Sequence, residues 1–212
     1  MAIDKKNSPV WYKVVVWIIL IGFVLGFVVI GATQIFGNLS NPDDTQTTTA
    51  SDSAQTIDKT YQAAVAPYLT TLKSSPDDFD ANNNAGQIYL AWAQELDKAG
   101  KNGAQQYKEA LPYLKKAYGL KPDDQNAGGN YASALYLTGD TAQAVTVGQA
   151  VVGKNPDSAQ DWYNLGLYLA ASNEAGARQE AITAFRTAIE KDTSGTLKTT
   201  AQQQIDTLNK AQ

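Results

Sequence analysis

The apolar positions of this chain fall into two patterns. From Val14 to Phe36 the chain carries no charge and only Thr33 and Gln34 as polar side chains. At about 1.5 Å per helical residue this stretch is long enough to cross a hydrocarbon core of roughly 30 Å. Beyond residue 56 the apolar residues return at spacings of three and four, which predicts amphipathic helices. Ala110, Ala117 and Pro122 come back as Ala144, Val151 and Pro156, all three shifted by the same interval. Asn130-Tyr131-Ala132-Ser133 returns at that interval as Asn164-Leu165-Gly166-Leu167, with Asn84-Ala85-Gly86-Gln87 upstream. A period of about 34 residues predicts stacked helix pairs, each burying its apolar face only against its neighbours.

Small residues at Gly86, Ala132 and Gly166 mark places where two helices approach closely, while Tyr89, Leu114, Leu135, Leu165, Leu169 and Phe185 supply the bulk between them. Pro122 and Pro156 end the second helices, and Asp123-Asp124 and Asp157-Ser158 open the next ones. Gly139-Asp140 reads as the turn inside the middle repeat. The interval from Gly86 to Ala110 is twice that from Ala132 to Ala144, and it also exceeds that from Gly166 to Ala181. The first pair should therefore have long helices, with its turn displaced to Lys98–Gly103.

Thr193 stands where a terminating proline is expected, and residues 196–212 read as a capping helix with Leu197, Ala201, Ile205 and Leu208 on one face. A half repeat, 56–76, is placed by Ala64, Tyr68, Thr71 and Pro76, with Pro67 predicting a kink or a late helix start. The organisation read from the chain is a basic tail at 1–13, a transmembrane helix at 14–36 and a disordered Thr/Ser/Asp-rich linker at 37–55. A helical domain follows at 56–195, with full repeats at about 77–122, 123–156 and 157–193.

Trp162-Tyr163-Asn164-Leu165-Gly166, followed by Ala181, Phe185 and Ala188, resembles the tetratricopeptide repeat (TPR) family in its order of large and small residues. The resemblance implies an all-α solenoid of antiparallel helix pairs, here following the single N-terminal transmembrane helix read from the apolar stretch. It also implies that Asn84, Asn130 and Asn164 face an inner groove, where an amide can both donate to and accept from the backbone of a bound peptide. Around them it places Asn83, Gln87, Gly129, Ser133, Tyr136, Tyr163 and Leu167. Family members that grip a terminal carboxylate use Lys and Arg in the groove. None stands here, so the implied ligand is an internal segment, a partner helix or an unfolded stretch. The asparagines have a second reading, as braces between neighbouring helices.

Charge orients the chain. Lys5, Lys6 and Lys13 precede the apolar stretch with Asp4 alone against them, whereas the first cation after it is Lys59, beyond Asp43, Asp44 and Asp52. Positive charge stays inside, which leaves the N-terminus cytoplasmic and the repeats outside the cytosol. A cleavable signal peptide is the competing reading, but its apolar core is only about 7 to 15 residues and Gly31-Ala32-Thr33 makes a poor cleavage site. Gly22 and Gly26 form a small-xxx-small pair that would let another span pack closely. After residue 37 the chain holds 14 basic and 20 acidic side chains, a net charge of −6 that does not suit a phosphate backbone and argues against a nucleic-acid partner.

There is no Cys and no His, so a disulfide framework, a thiolate nucleophile and the common transition-metal ligands are missing. Asp77-Asp78-Asp80 and Asp123-Asp124 read as helix-start acids. No enzyme, no cofactor and no metal site is expected. The expected function is a membrane-anchored scaffold that binds protein segments in its groove. A basic tail, one span and an extracytoplasmic repeat domain are similar in layout to the ancillary subunit of the bacterial Sec translocon, which implies a translocon or an envelope complex as partner. The alternative is a permanent structural accessory subunit of a larger membrane complex. The oligomeric state is left open.

Overall fold

The computed structural model describes residues 50–210, with side chains from Ala54 onward. The basic tail, the apolar stretch Val14–Phe36 with Gly22 and Gly26, and the linker as far as residue 49 lie outside the described residues. Among the described residues there are eight helices: α1 (Ala50–Ser74), α2 (Phe79–Lys98), α3 (Ala104–Leu120), α4 (Gln125–Leu137), α5 (Thr141–Lys154), α6 (Ala159–Ala171), α7 (Ala177–Lys191) and α8 (Lys198–Lys210). None of them is long and apolar enough to cross a membrane.

Each helix packs on the next, and the pairs α2/α3, α4/α5 and α6/α7 form the repeats. The first helices also touch across repeats, α2 on α4 and α4 on α6. No comparable packing joins the second helices to one another, so the first helices line the inner side of the curve. One continuous core runs from Leu90 through Leu114, Leu135, Val151 and Leu169 to Ile205.

The seam inside each repeat depends on one small residue. In the first, Gly86 leaves no room for a side chain against Leu114; in the third, a Cβ on Gly166 would lie 2.6 Å from Phe185 Cε1. The middle seam is different. The position matching Leu114 and Phe185 is Gly148, which faces Tyr168 and Leu165 of α6 instead. Tyr168 thus reaches back from the third repeat, where its ring packs 5.2 Å from that of Tyr136 and its hydroxyl lies 2.9 Å from Ser133 Oγ.

The turns follow the sequence closely. Asp78 caps α2 by accepting from Ala81 N at 2.7 Å, Asp124 caps α4 from Ala127 N at 2.9 Å, and Ser158 caps α6 from Asp161 N at 3.3 Å. The preceding residues take cations from the end of the same repeat's second helix: Asp77 from Lys116 at 2.5 Å, Asp123 from Lys154 at 2.6 Å and Asp157 from Lys191 at 2.5 Å. The proline carbonyls are held as well. Pro76 O accepts from Asn82 Nδ2 at 2.9 Å, Pro156 O from Trp162 Nε1 at 2.9 Å, and Pro122 O from Lys154 Nζ at 2.6 Å. Asn82 and Trp162 occupy the same repeat position. The middle repeat has Gly128 there, with no side chain to give, and a lysine substitutes.

The long first pair is present: α2 and α3 have 20 and 17 residues, against 13 and 14 for α4 and α5. A stack of rings runs across α1, α2 and α3, Tyr61 on Trp92 at 6.2 Å, Trp92 on Tyr89 at 5.9 Å and Tyr89 on Tyr113 at 5.7 Å, with Trp92 in the part of α2 that α4 lacks.

Helix α1 departs from expectation in three ways. It begins at Ala50, inside the stretch read as linker, because Ala54, Ile57 and Asp58 are drawn into the packed face, Asp58 accepting from Trp92 Nε1 at 2.8 Å. Its inward stripe is Tyr61, Val65, Tyr68, Leu69 and Leu72, whereas Ala64 and Thr71 are exposed, so the spacing used to place the half repeat falls partly on the wrong face. The helix also runs unbroken through Pro67. The carbonyl that Pro67 leaves without its amide partner belongs to Ala63, which is exposed and open to water.

At the other end, Asp192 takes the place of the missing proline. Its Oδ1 accepts from Ser194 Oγ at 2.6 Å and Gly195 N at 3.0 Å, and its Oδ2 from Leu197 N at 2.7 Å. That turn delivers α8, whose Ala201 and Ile205 are buried against the last pair.

Candidate peptide-binding groove

Asn84, Asn130 and Asn164 stand at one repeat position of α2, α4 and α6, and all three are partly exposed. Four residues earlier stand Asp80, Asn126 and Gln160, each exposed and one turn away on the same face. Asn84 Nδ2 donates to Asp80 O at 2.7 Å, and Asn164 Oδ1 accepts from Gln160 Nε2 at 3.0 Å. Asn84 keeps its amide oxygen and Asn164 its amino group for an outside partner. Asn130 makes no side-chain hydrogen bond among the described residues, so the middle of the row retains both a donor and an acceptor.

The other anticipated groove residues divide. Gln87 is exposed one turn beyond Asn84. Ser133 is committed to Tyr168 and Tyr136 is packed on the same ring, both serving the seam between the second and third repeats. Tyr163 lies against Phe185 at 5.5 Å and covers the α6/α7 core, because an aromatic ring beside a buried phenylalanine gains more by leaving water than by standing in it. These three contribute rim and support.

Asp161 is a groove residue that the sequence pattern does not single out. It sits at the junction of α4 and α6, where its Oδ2 accepts from Gln125 Nε2 at 2.6 Å. Its Oδ1 is 3.9 Å from the place a Cβ would occupy on Gly129, the residue before Asn130. A small crevice here is lined by Gly129, Asp161 and Asn164 over Ala132, Gly148 and Tyr168. No similar residue marks the position in the other repeats: the counterparts of Asp161 are Ala81 and Ala127, both buried.

A second concavity lies away from the asparagine row. Between α5 and α7 a cleft of about 560 Å³ is floored by Trp162, Leu165 and Leu169 and walled by Val152, Pro156 and Ala184. Among the described residues no group of carboxylates is arranged to hold a metal ion.

Residues 102–166, from the turn before α3 to the middle of α6, match the tetratricopeptide repeat family model. The whole array is similar to the crystal structure of MamA, with a TM-score of 0.60 at 21% identity over 76% of this chain and 82% of that one. A thermophilic TPR protein of Thermus thermophilus matches with a TM-score of 0.55 at 15% identity, over 74% of this chain and 77% of that one. The solenoid has the tetratricopeptide repeat fold. No curated protein matches the chain in sequence. The asparagine row recurs once per helix pair, on the first helix of each.

Proposed function

We propose that this chain is a membrane-anchored TPR scaffold that binds segments of other proteins along the inner face of its first helices. The observation that carries the reading is the unspent hydrogen-bonding capacity of Asn130 between Asn84 and Asn164. An amide row at one helix position suits a peptide backbone, whose N–H and C=O groups recur regardless of sequence. The span Val14–Phe36 and its basic flank support anchoring with the repeats outside the cytosol, in reach of exported chains or an envelope complex such as a translocon. A non-enzymatic role fits the lack of His and Cys.

The apolar cleft beside Trp162 favours a second reading, a permanent accessory subunit seated on a larger membrane complex through its second-helix side. Photocrosslinking in native membranes separates the two. A probe at Asn130 capturing many chains, with little capture from Lys116 on α3, supports transient groove binding. One dominant neighbour captured from a probe at Gln149 in the cleft, with nothing from Asn130, supports the accessory subunit.

A further inference from the structure

The charges of the solenoid are sorted by helix type. Among the first helices, α4 has no charged side chain, α6 has Asp161 alone, and α2 has Asp80, Glu95 and Asp97 with Lys98 at its end. The second helices α3, α5 and α7 carry seven cations against three carboxylates. Helices α4 and α6 are therefore free of cations, Asp80 and Asp161 are the carboxylates beside the asparagine row, and Lys121, in the turn before α4, lies over the Phe79 ring of α2 at 3.8 Å.

At the centre of that row the surface is shaped as well as charged. Gly129 has no side chain, and the space its Cβ would take is open except for Asp161 Oδ1 at 3.9 Å. Gln125 fixes the carboxylate by holding Oδ2 at 2.6 Å, leaving Oδ1 turned toward Gly129 with no hydrogen-bond partner among the described residues. Asn130 stands next to it with both its donor and its acceptor unused. A ligand backbone can come close over Gly129, pair with Asn130 and set one side chain onto Asp161.

From this placement we infer that the groove selects extended segments bearing a lysine or arginine, which seats on Asp161 above Gly129. The inference rests on the groove reading given above and names its preferred ligand. Acidic segments are disfavoured there, since neither α4 nor α6 carries a cation to neutralise them and Asp161 repels them.

The test uses the full chain in mild detergent and three fluorescein-labelled, end-capped peptides of sequence Ser-Ala-Leu-Xaa-Ala-Leu-Ser, with Lys, Gln or Glu as Xaa, read by anisotropy at low and moderate salt. The Lys peptide should bind about tenfold more tightly than the Glu peptide at low salt, with the gap narrowing as salt screens the pair. Asp161→Asn should bring the three peptides together while thermal unfolding stays near that of the parent. Gly129→Lys keeps Asp161 and supplies a competing cation within the chain; it should weaken the Lys peptide selectively.

A Lys preference that survives both variants would overturn the assignment to Asp161, as would equal or tighter binding of the Glu peptide in the parent. Binding that is lost equally for all three peptides on Asn130→Ala, with no charge preference, would leave the groove standing and remove only the charge selection. Failure of every peptide to bind the parent would remove the groove reading itself.

Discussion

Gly166 in α6 lies so close to Phe185 in α7 that the ring fills the volume a methyl group would need, with Cε1 2.6 Å from the Cβ position. Gly166→Ala should therefore cost about 1 to 3 kcal/mol, because an aromatic ring locked in a seam cannot move aside without losing its other contacts. Gly153, in the last turn of α5, has nothing within 4 Å of its Cβ position. Gly153→Ala should gain up to about 0.5 kcal/mol from helix propensity. Urea unfolding of the two variants gives opposite signs if the seam, and not glycine as such, is what matters.

Tyr168 carries the middle repeat. Tyr168→Ala removes the ring that packs against Gly148 and Tyr136, and should cost about 3 to 5 kcal/mol, as loss of a large buried ring does. Tyr168→Phe keeps the ring and gives up only the Ser133 hydrogen bond, about 1 kcal/mol. Ser133→Ala should then add little to Tyr168→Phe, a non-additivity that a double-mutant cycle reads directly.

Asp58 ties α1 to the array through Trp92. Asp58→Ala leaves a buried indole N–H without its acceptor, at about 1 to 3 kcal/mol, and the effect should be local. Amide hydrogen exchange should quicken in α1 well before it does in α4 to α7, since a terminal helix has one neighbour to hold it.

Two tyrosines set the alkaline limit. Burial, joined by the hydrogen bond to Asp97, pushes Tyr107 up to about 12, and burial pushes Tyr168 up to about 12. A folded value above the ordinary 10.0 means that their contribution is whole below pH 10 and is lost as pH rises toward 12. At the other extreme, the Ser194 hydroxyl and nearby backbone amides hold Asp192 below its ordinary 3.8, so the turn before α8 keeps its support above that pH and loses it as pH falls further. Circular dichroism across both ranges should show α8 fraying first in acid and the whole array failing in base, with Tyr168→Phe narrowing the alkaline loss.

The repeat, its turns and its long first pair are legible in the sequence because they depend on residues that recur: Gly86 and Gly166, the Pro-Asp turns, the displaced Lys98–Gly103 loop. The register of α1 is less so. Its Ala64, Tyr68 and Thr71 mimic the spacing of a second helix, yet the wider stripe from Tyr61 through Val65 to Leu72 buries more apolar surface and decides which way the helix turns. The asparagine row can be found by period alone. Asp161 cannot, because it occurs once and takes its importance from Gln125 and Gly129, which belong to another repeat. Ser133 and Tyr136 look like groove residues for the converse reason: spacing marks a position on a helix and is silent about a tyrosine arriving from the next repeat.

That borrowed tyrosine limits how the chain can be edited. Cutting out one whole period, from Asp123 to Pro156, would preserve the spacing and join compatible turns, yet it would strand Tyr168 opposite a seam already filled by Leu114. Removing the last repeat would instead leave Gly148 facing a void. The second and third repeats are thus a matched pair that can be copied or transplanted only together, while the first, closed by Gly86 and Leu114 from within, has to carry α1 with it, because Asp58 and Tyr61 are both seated on its Trp92.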